Sequence, residues 1–160
     1  MDLDRDFNEF VQSFLAHDVR FMVVGGYALA AHGLPRATGD FDTWVWVGES
    51  NAQRVLAALD DFGFGGLGLT ADDFAQPGRV VQLGYPPCRI DILTSIDGVD
   101  FDEAWPNRSI VAVDGMELPV IGRDDLVRNK RAVGRPQDIA DVARLTADGE
   151  GPISGTPMTG

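Results

Sequence analysis

Three aspartates and a pair of glycines carry the chemistry this sequence suggests. Asp40 and Asp42 stand one residue apart at the start of an apolar run, with thirteen residues between them and Gly25-Gly26, which closes an earlier apolar run. Residues i and i+2 of a strand project to the same side about 6–7 Å apart, a span that one or two Mg²⁺ ions can bridge while keeping coordination positions for phosphate oxygens. A third carboxylate is usually needed to hold a second metal ion or to deprotonate an attacking hydroxyl. Asp91 is the candidate, the single acid of the apolar stretch Arg89-Ile90-Asp91-Ile92-Leu93. An unpaired carboxylate is costly to bury, so Asp91 should face a cleft, a metal ion or an arginine. Each acid also has an ordinary reading: Asp40 in a turn, Asp42 on the surface, Asp91 in an ion pair with Arg89 or Arg36. Their combination behind a glycine pair is what favours metal-assisted chemistry on a phosphate.

The glycine pair opens a short helix, where backbone N–H groups can approach an anion. No Gly-Lys-Ser/Thr follows it and it is no GxGxxG, so on its own it reads as a tight strand-to-helix turn.

The elements that must position these residues follow from hydrophobic periodicity. Phe7, Phe10, Val11, Phe14 and Leu15 fall on one helical face, with Asp2, Asp4 and Asp6 at the end where the helix dipole favours acids. Phe21–Val24 reads as a short buried strand, and Tyr27–His32 as a brief Ala-rich helix stopped by Gly33 and Pro35. From Asp40 the pattern alternates. Phe41, Thr43, Val45 and Val47 share one face; Asp40, Asp42, Trp44 and Trp46 share the other. The tryptophans are expected in the core, the alternative being a ring that stacks on a base if a cleft runs along this strand.

Ser50 and Gln53 suggest a capping box ahead of a helix through Val55, Leu56, Leu59 and Phe62. Residues 63–78 are Gly-rich without periodicity and read as a loop. Two hairpins follow: Val80–Leu83 with Arg89–Leu93 around Gly84-Tyr85-Pro86-Pro87, and Ile110–Val113 with Leu118–Ile121 around Asp114-Gly115. A helix from Arg123 through Val133 ends at Gly134, and another starts at Pro136 and runs through Ile139, Val142, Ala143 and Leu145. Asp138 and Asp141 share one face of that last helix and are expected to pair with Arg135 and Arg144. Residues 1–148 are read as a single domain and 149–160, almost without apolar residues, as a disordered tail. The order of elements is that of an α+β (mixed α/β) domain: a short mixed sheet, helices packed on one face, and C-terminal helices.

Composition narrows the partners. With 13 Lys+Arg against 25 Asp+Glu the net charge is −12, which argues against a broad surface that tracks nucleic-acid phosphates. The exception is a basic cluster, Arg128, Lys130, Arg131 and Arg135, where a polyanion could dock. No apolar run approaches the roughly 20 residues of a membrane span, and the N-terminus lacks the basic start of a secretory signal. A single cysteine, Cys88, cannot form an internal disulfide, so a cytoplasmic protein with no membrane association is expected.

The spacing of Gly25-Gly26, Asp40-Phe41-Asp42 and Asp91 resembles the signature of the polymerase-β-like nucleotidyltransferase superfamily. The finer text, GGYALAAHGLPRATGDFD with a later NKRAVGRPQDIADVARL, is similar to small prokaryotic members related to the AbiEii-type toxins of toxin–antitoxin systems. The resemblance covers roughly residues 21–145 and implies a nucleotidyltransferase fold. It implies transfer of a nucleoside monophosphate from an NTP to an acceptor hydroxyl on tRNA, protein or a small molecule, with release of pyrophosphate. Gly25 and Gly26 would hold the β- and γ-phosphates. Asp40 and Asp42 would bind Mg²⁺ (or Mn²⁺), and Asp91 would complete the metal site and orient or deprotonate the acceptor. Arg36 and Lys130 are implied as secondary triphosphate contacts, with Thr38 either touching phosphate or ordering its own loop. A cognate antitoxin is the implied partner. The alternative is a non-catalytic module of the same fold that binds a nucleotide or a protein.

Overall fold

The computed structural model describes residues 3–36, 38–85 and 88–147. Six strands form one mixed sheet: β1 (Phe21–Val24), β2 (Asp40–Val45), β3 (Val80–Tyr85), β4 (Cys88–Leu93), β5 (Ser109–Val113) and β6 (Met116–Val120), in the order β3-β4-β2-β1-β6-β5. Helices are α1 (Arg5–Ala16), α2 (Gly25–Ala31), α3 (Glu49–Leu59), α4 (Asp72–Ala75), α5 (Phe101–Ala104), α6 (Arg123–Val133) and α7 (Pro136–Ala147). This is the mixed α/β architecture expected. Both hairpins form, with Asp114 and Gly115 at positive φ (50° and 80°) as a two-residue turn between antiparallel strands demands. The Pro86-Pro87 corner of the other hairpin and the tail at 149–160 lie outside the described residues.

Antiparallel pairing of β1 with β2 and parallel pairing of β2 with β4 put the middle of the sheet under two different covers. On one face Phe41 stacks on Phe7 of α1 at 5.1 Å and meets Tyr27 edge-on at 5.2 Å, while Phe10 and Phe14 extend the cluster to Phe21. The other face is not bare. Trp44 is 1% exposed beneath Phe101 of α5, ring centroids 4.9 Å apart, and Phe101 in turn stacks on Trp105. Trp44 is therefore core, and Trp46 is partly buried with Arg20 lying over its ring. Phe101 and Trp105 cover the Trp44 end of this face.

Three local expectations are corrected. The helix after β2 begins at Glu49 with Gly48 as its N-cap, so the Ser50–Gln53 capping box does not form. Asn51 is the reason: fully buried, it accepts from Arg20 N–H and donates to the Arg20 and Trp46 carbonyls, which draws this turn onto the end of β1. Residues 60–78 are not a plain loop. A π-helical turn at Asp60–Phe64 and a 3₁₀ turn at Gly65–Leu67 continue α3, and α4 then buries Phe74 completely. Ile139, expected on the buried face of α7, is 53% exposed. That face carries Asp138 and Asp141 instead, 1% and 2% exposed.

Candidate active site

The register of the central strands assembles the three aspartates. Asp42 lies directly opposite Asp91 across the parallel β2–β4 ladder, and Asp40 lies opposite Arg89. Across the β1–β2 ladder Asp42 faces Val24, the residue before the glycine pair. Same-face neighbours on adjacent strands sit about 5 Å apart, so this alignment brings two carboxylates and an arginine together over a few side chains. The register thus sets Asp42 beside Asp91, with Asp40 two residues along the same strand and drawn to Arg89.

Gly25 is required by that convergence. Its φ is +71°, and a Cβ added there would lie 2.2 Å from Asp42 Oδ2, inside any possible contact. At Gly26 an added Cβ would press on Thr38 Cγ2 at 3.0 Å. Thr38 in turn accepts from the Asp40 N–H at 3.1 Å, an Asx-like local bond that sets the start of β2. The glycine pair leaves room for the carboxylate and for the loop that delivers it. Thr38 has the loop-ordering role.

The electrostatics show like charges held at close quarters. Burial, first, and then the charge of Asp91, a hydrogen bond with it and the charge of Asp40 push the Asp42 carboxyl up to about 7, with Arg89 opposing. Asp91 is also raised, by burial above all, while Arg89 and the hydrogen bond from Asp42 hold it down. Asp42 and Asp91 face each other and titrate as one pair. Among the described residues Arg89 supplies the ion pairs to this group: Nη2 to Asp40 Oδ2 at 3.0 Å and Nε to Asp91 Oδ1 at 3.4 Å. The second pair is close but misaligned, since Arg89 Nε and Asp91 Oδ1 are both buried without a hydrogen bond.

Oxygen donors of this kind suit a hard divalent cation such as Mg²⁺, which takes a few carboxylates and fills its other positions with water or phosphate. Asp91 Oδ1 is buried without a hydrogen bond, an unsatisfied oxygen of the kind such a cation would take. Among the described residues no group of three or more His, Cys, Asp or Glu side chains is gathered closely enough to hold a metal ion. Asp40, drawn to Arg89, is the member turned aside. The donor chemistry would suit such a cation, and Arg89 pairs with two of the three acids.

Arg36 and Lys130 belong to a second polar cluster. Arg36 forms a two-pronged pair with Asp141 at 2.6 and 3.0 Å, Lys130 bridges Asp138 and Asp141 at 3.2 Å each, and Arg135 reaches Asp138 at 2.7 Å. This ties the loop before β2 to α6 and α7. Of the pairings expected for these acids, Arg135 with Asp138 forms, and the partners of Asp141 are Arg36 and Lys130 in place of Arg144. It also absorbs two members of the basic cluster at 128–135. His32 is a packing residue, its Nε2 2.8 Å from the Ile121 carbonyl. Sequence reasoning considered Arg89 only as a partner for Asp91 and missed its reach to Asp40. The signal was available: in two parallel strands aligned at Asp42 and Asp91, residues two earlier must also face each other.

No protein-family model matches the sequence, and no curated protein matches it either. Solved structures do match the fold. A Thermotoga maritima protein described as a putative nucleotidyltransferase superposes with a TM-score of 0.57 at 14% identity, covering 92% of this chain and 97% of that one. The lincosamide antibiotic adenylyltransferase LnuA, solved with lincomycin bound, superposes with a TM-score of 0.53 at 12% identity, covering 91% and 97%. The chain therefore has the fold seen in these nucleotidyltransferases, over nearly the whole length of each.

Proposed function

We propose that this protein is a divalent-metal-dependent nucleotidyltransferase that moves a nucleoside monophosphate from an NTP to an acceptor hydroxyl and releases pyrophosphate. The observation that carries the reading is the Asp42–Asp91 pair, two carboxylates aligned on adjacent strands against Gly25, with Asp40 two residues away. A fold shared with an adenylyltransferase supports it.

In this reading Asp40, Asp42 and Asp91 hold the cation, which when bound supplies positive charge to the α-phosphate. Asp91 orients the acceptor hydroxyl and takes its proton, and Gly25 and Gly26 border the β- and γ-phosphates. Arg36 and Lys130 serve the triphosphate by exchanging Asp141 for phosphate oxygens, and otherwise hold α7 against the loop. Fixed groups aimed at developing charge account for most of the rate in phosphoryl transfer.

For the acceptor, a small hydroxylated molecule gains support from LnuA, a lincosamide antibiotic adenylyltransferase of the same fold. Transfer to tRNA or protein, and a place as the cytoplasmic toxin of a toxin–antitoxin pair, rest on the sequence resemblance. The decisive experiment incubates the protein with each α-³²P-labelled NTP, Mg²⁺ and, separately, total cell RNA, cell protein and hydroxylated antibiotics. Label should move to one acceptor class and fail to do so with Asp42→Ala or Asp40→Ala. Wild-type transfer by either variant would refute the metal-site assignment. If no acceptor is labelled and calorimetry detects no metal-dependent NTP binding, the non-catalytic binding module takes its place.

A further inference from the structure

Among the described residues Arg89 is the basic side chain paired with these aspartates, and it is placed to do more than balance charge. We propose that Arg89 competes with the divalent cation for Asp40 and Asp91, so that it sets the metal affinity of the site and holds the acids together when no cation is bound. The inference rests on the metal-site reading above and adds a control element to it.

Four observations support this role. Arg89 spans two carboxylates, 3.0 Å from Asp40 Oδ2 and 3.4 Å from Asp91 Oδ1. A guanidinium that satisfied both would be a permanent fixture, but the Asp91 contact is misaligned and leaves Nε and Oδ1 without hydrogen bonds. The pair is attractive without being satisfied. Arg89 also has a way out: its side chain is 31% exposed, and its cross-strand neighbour on β3 is Gly84, which has no side chain to block it. Finally, the Asp40 side chain is 42% exposed, and among the described residues Arg89 is the partner of its carboxylate. Withdrawal of Arg89 releases Asp40 Oδ2 and leaves Asp91 Oδ1 open at once, converting a carboxylate pair plus an ion pair into a three-carboxylate donor set.

The sign of the effect follows from charge. Arg89 occupies ligand oxygens and repels any cation that approaches them, so removal of its charge strengthens cation binding even though it weakens the cation-free protein.

The test measures Mn²⁺ binding to the intact chain by calorimetry, with melting curves taken with and without Mn²⁺, and needs no acceptor. Arg89→Gln should bind Mn²⁺ about tenfold tighter than wild type or more, the order expected for loss of one neighbouring positive charge. It should melt lower than wild type without Mn²⁺ and recover most of the difference with it. Arg89→Lys, which keeps the charge but reaches only one carboxylate, should fall between the two and serves if the glutamine variant does not fold. Equal or weaker Mn²⁺ binding by the variants overturns the role given to Arg89 and leaves the metal site standing. Absence of Mn²⁺ binding in every form, wild type included, overturns both.

Discussion

Replacement of Gly25 by alanine separates the two things this glycine does. The first is conformational: at φ +71° an alanine sits in the left-handed region, which costs about 1–2 kcal/mol. The second is spatial: the new methyl would lie 2.2 Å from Asp42 Oδ2, so the carboxylate must retreat by more than 1 Å to reach ordinary contact. A misplacement of that size at a reacting centre costs on the order of 100-fold in rate. Gly134 is the matched control. It has the same φ of +71°, and an added Cβ would find nothing nearer than the Arg131 carbonyl at 3.5 Å. Gly25→Ala and Gly134→Ala should therefore lose similar stability in urea unfolding, each about 1–2 kcal/mol. Only Gly25→Ala should lose label transfer by about 100-fold and weaken Mn²⁺ binding. If Gly25→Ala transfers label like Gly134→Ala, the carboxylate it displaces is not part of the machinery and the argument from the Gly25–Asp42 contact fails.

Three further outcomes follow from the packing. Arg135 first, and then Lys130, hold the buried Asp138 carboxyl down at about 2, below its ordinary 3.8. A depressed carboxyl stabilises the fold above its unfolded value, so this contribution, about 2 kcal/mol at most given how exposed Arg135 is, should be full above about pH 4 and vanish as pH falls through 2. Urea-unfolding energies of wild type and Asp138→Asn should differ by a constant amount above pH 4 and converge below it; a gap that persists at pH 2 would contradict the assignment. Asn51→Ala strips three part-buried hydrogen bonds to the backbone and should cost about 2–4 kcal/mol, measured by chemical denaturation, where a loss under about 1 would show that water replaces the amide. Trp44→Ala should cost about 3–5 kcal/mol in the same assay and leave NTP affinity unchanged at temperatures where the variant is folded, since Trp44 lies under Phe101 away from solvent.

The elements were legible wherever the signal is local. β1 ends at Val24 because the apolar run meets Gly25, and α7 starts at Pro136 because a proline tolerates only the first turn of a helix. The alternation of β2 correctly separated the Phe41 face from the face of Asp40, Asp42 and Trp44. What escaped was decided at a distance. Ser50 and Gln53 spell a cap that the buried Asn51 overrides by binding Arg20, thirty-one residues earlier. Arg36 finds its partner in Asp141, 105 residues on, and no local pattern distinguishes that from a solvated arginine. Phe74 is buried by a four-residue helix too short to show a period. At the site the three aspartates could be nominated from spacing, whereas the position of Arg89 between them needed the register.

That register has a consequence for how the chain avoids error. Side chains alternate with every residue, so a slip of one position between β2 and β4 would turn Asp91 into the layer of Phe7, Phe41 and Tyr27 and push Ile90 and Ile92 out. An unpaired carboxylate in that aromatic layer is worth several kcal/mol against the slipped form. The greasy underside of the sheet thus acts as a proofreader for the acidic upper side: a molecule that packs its phenylalanines well has already aligned its aspartates.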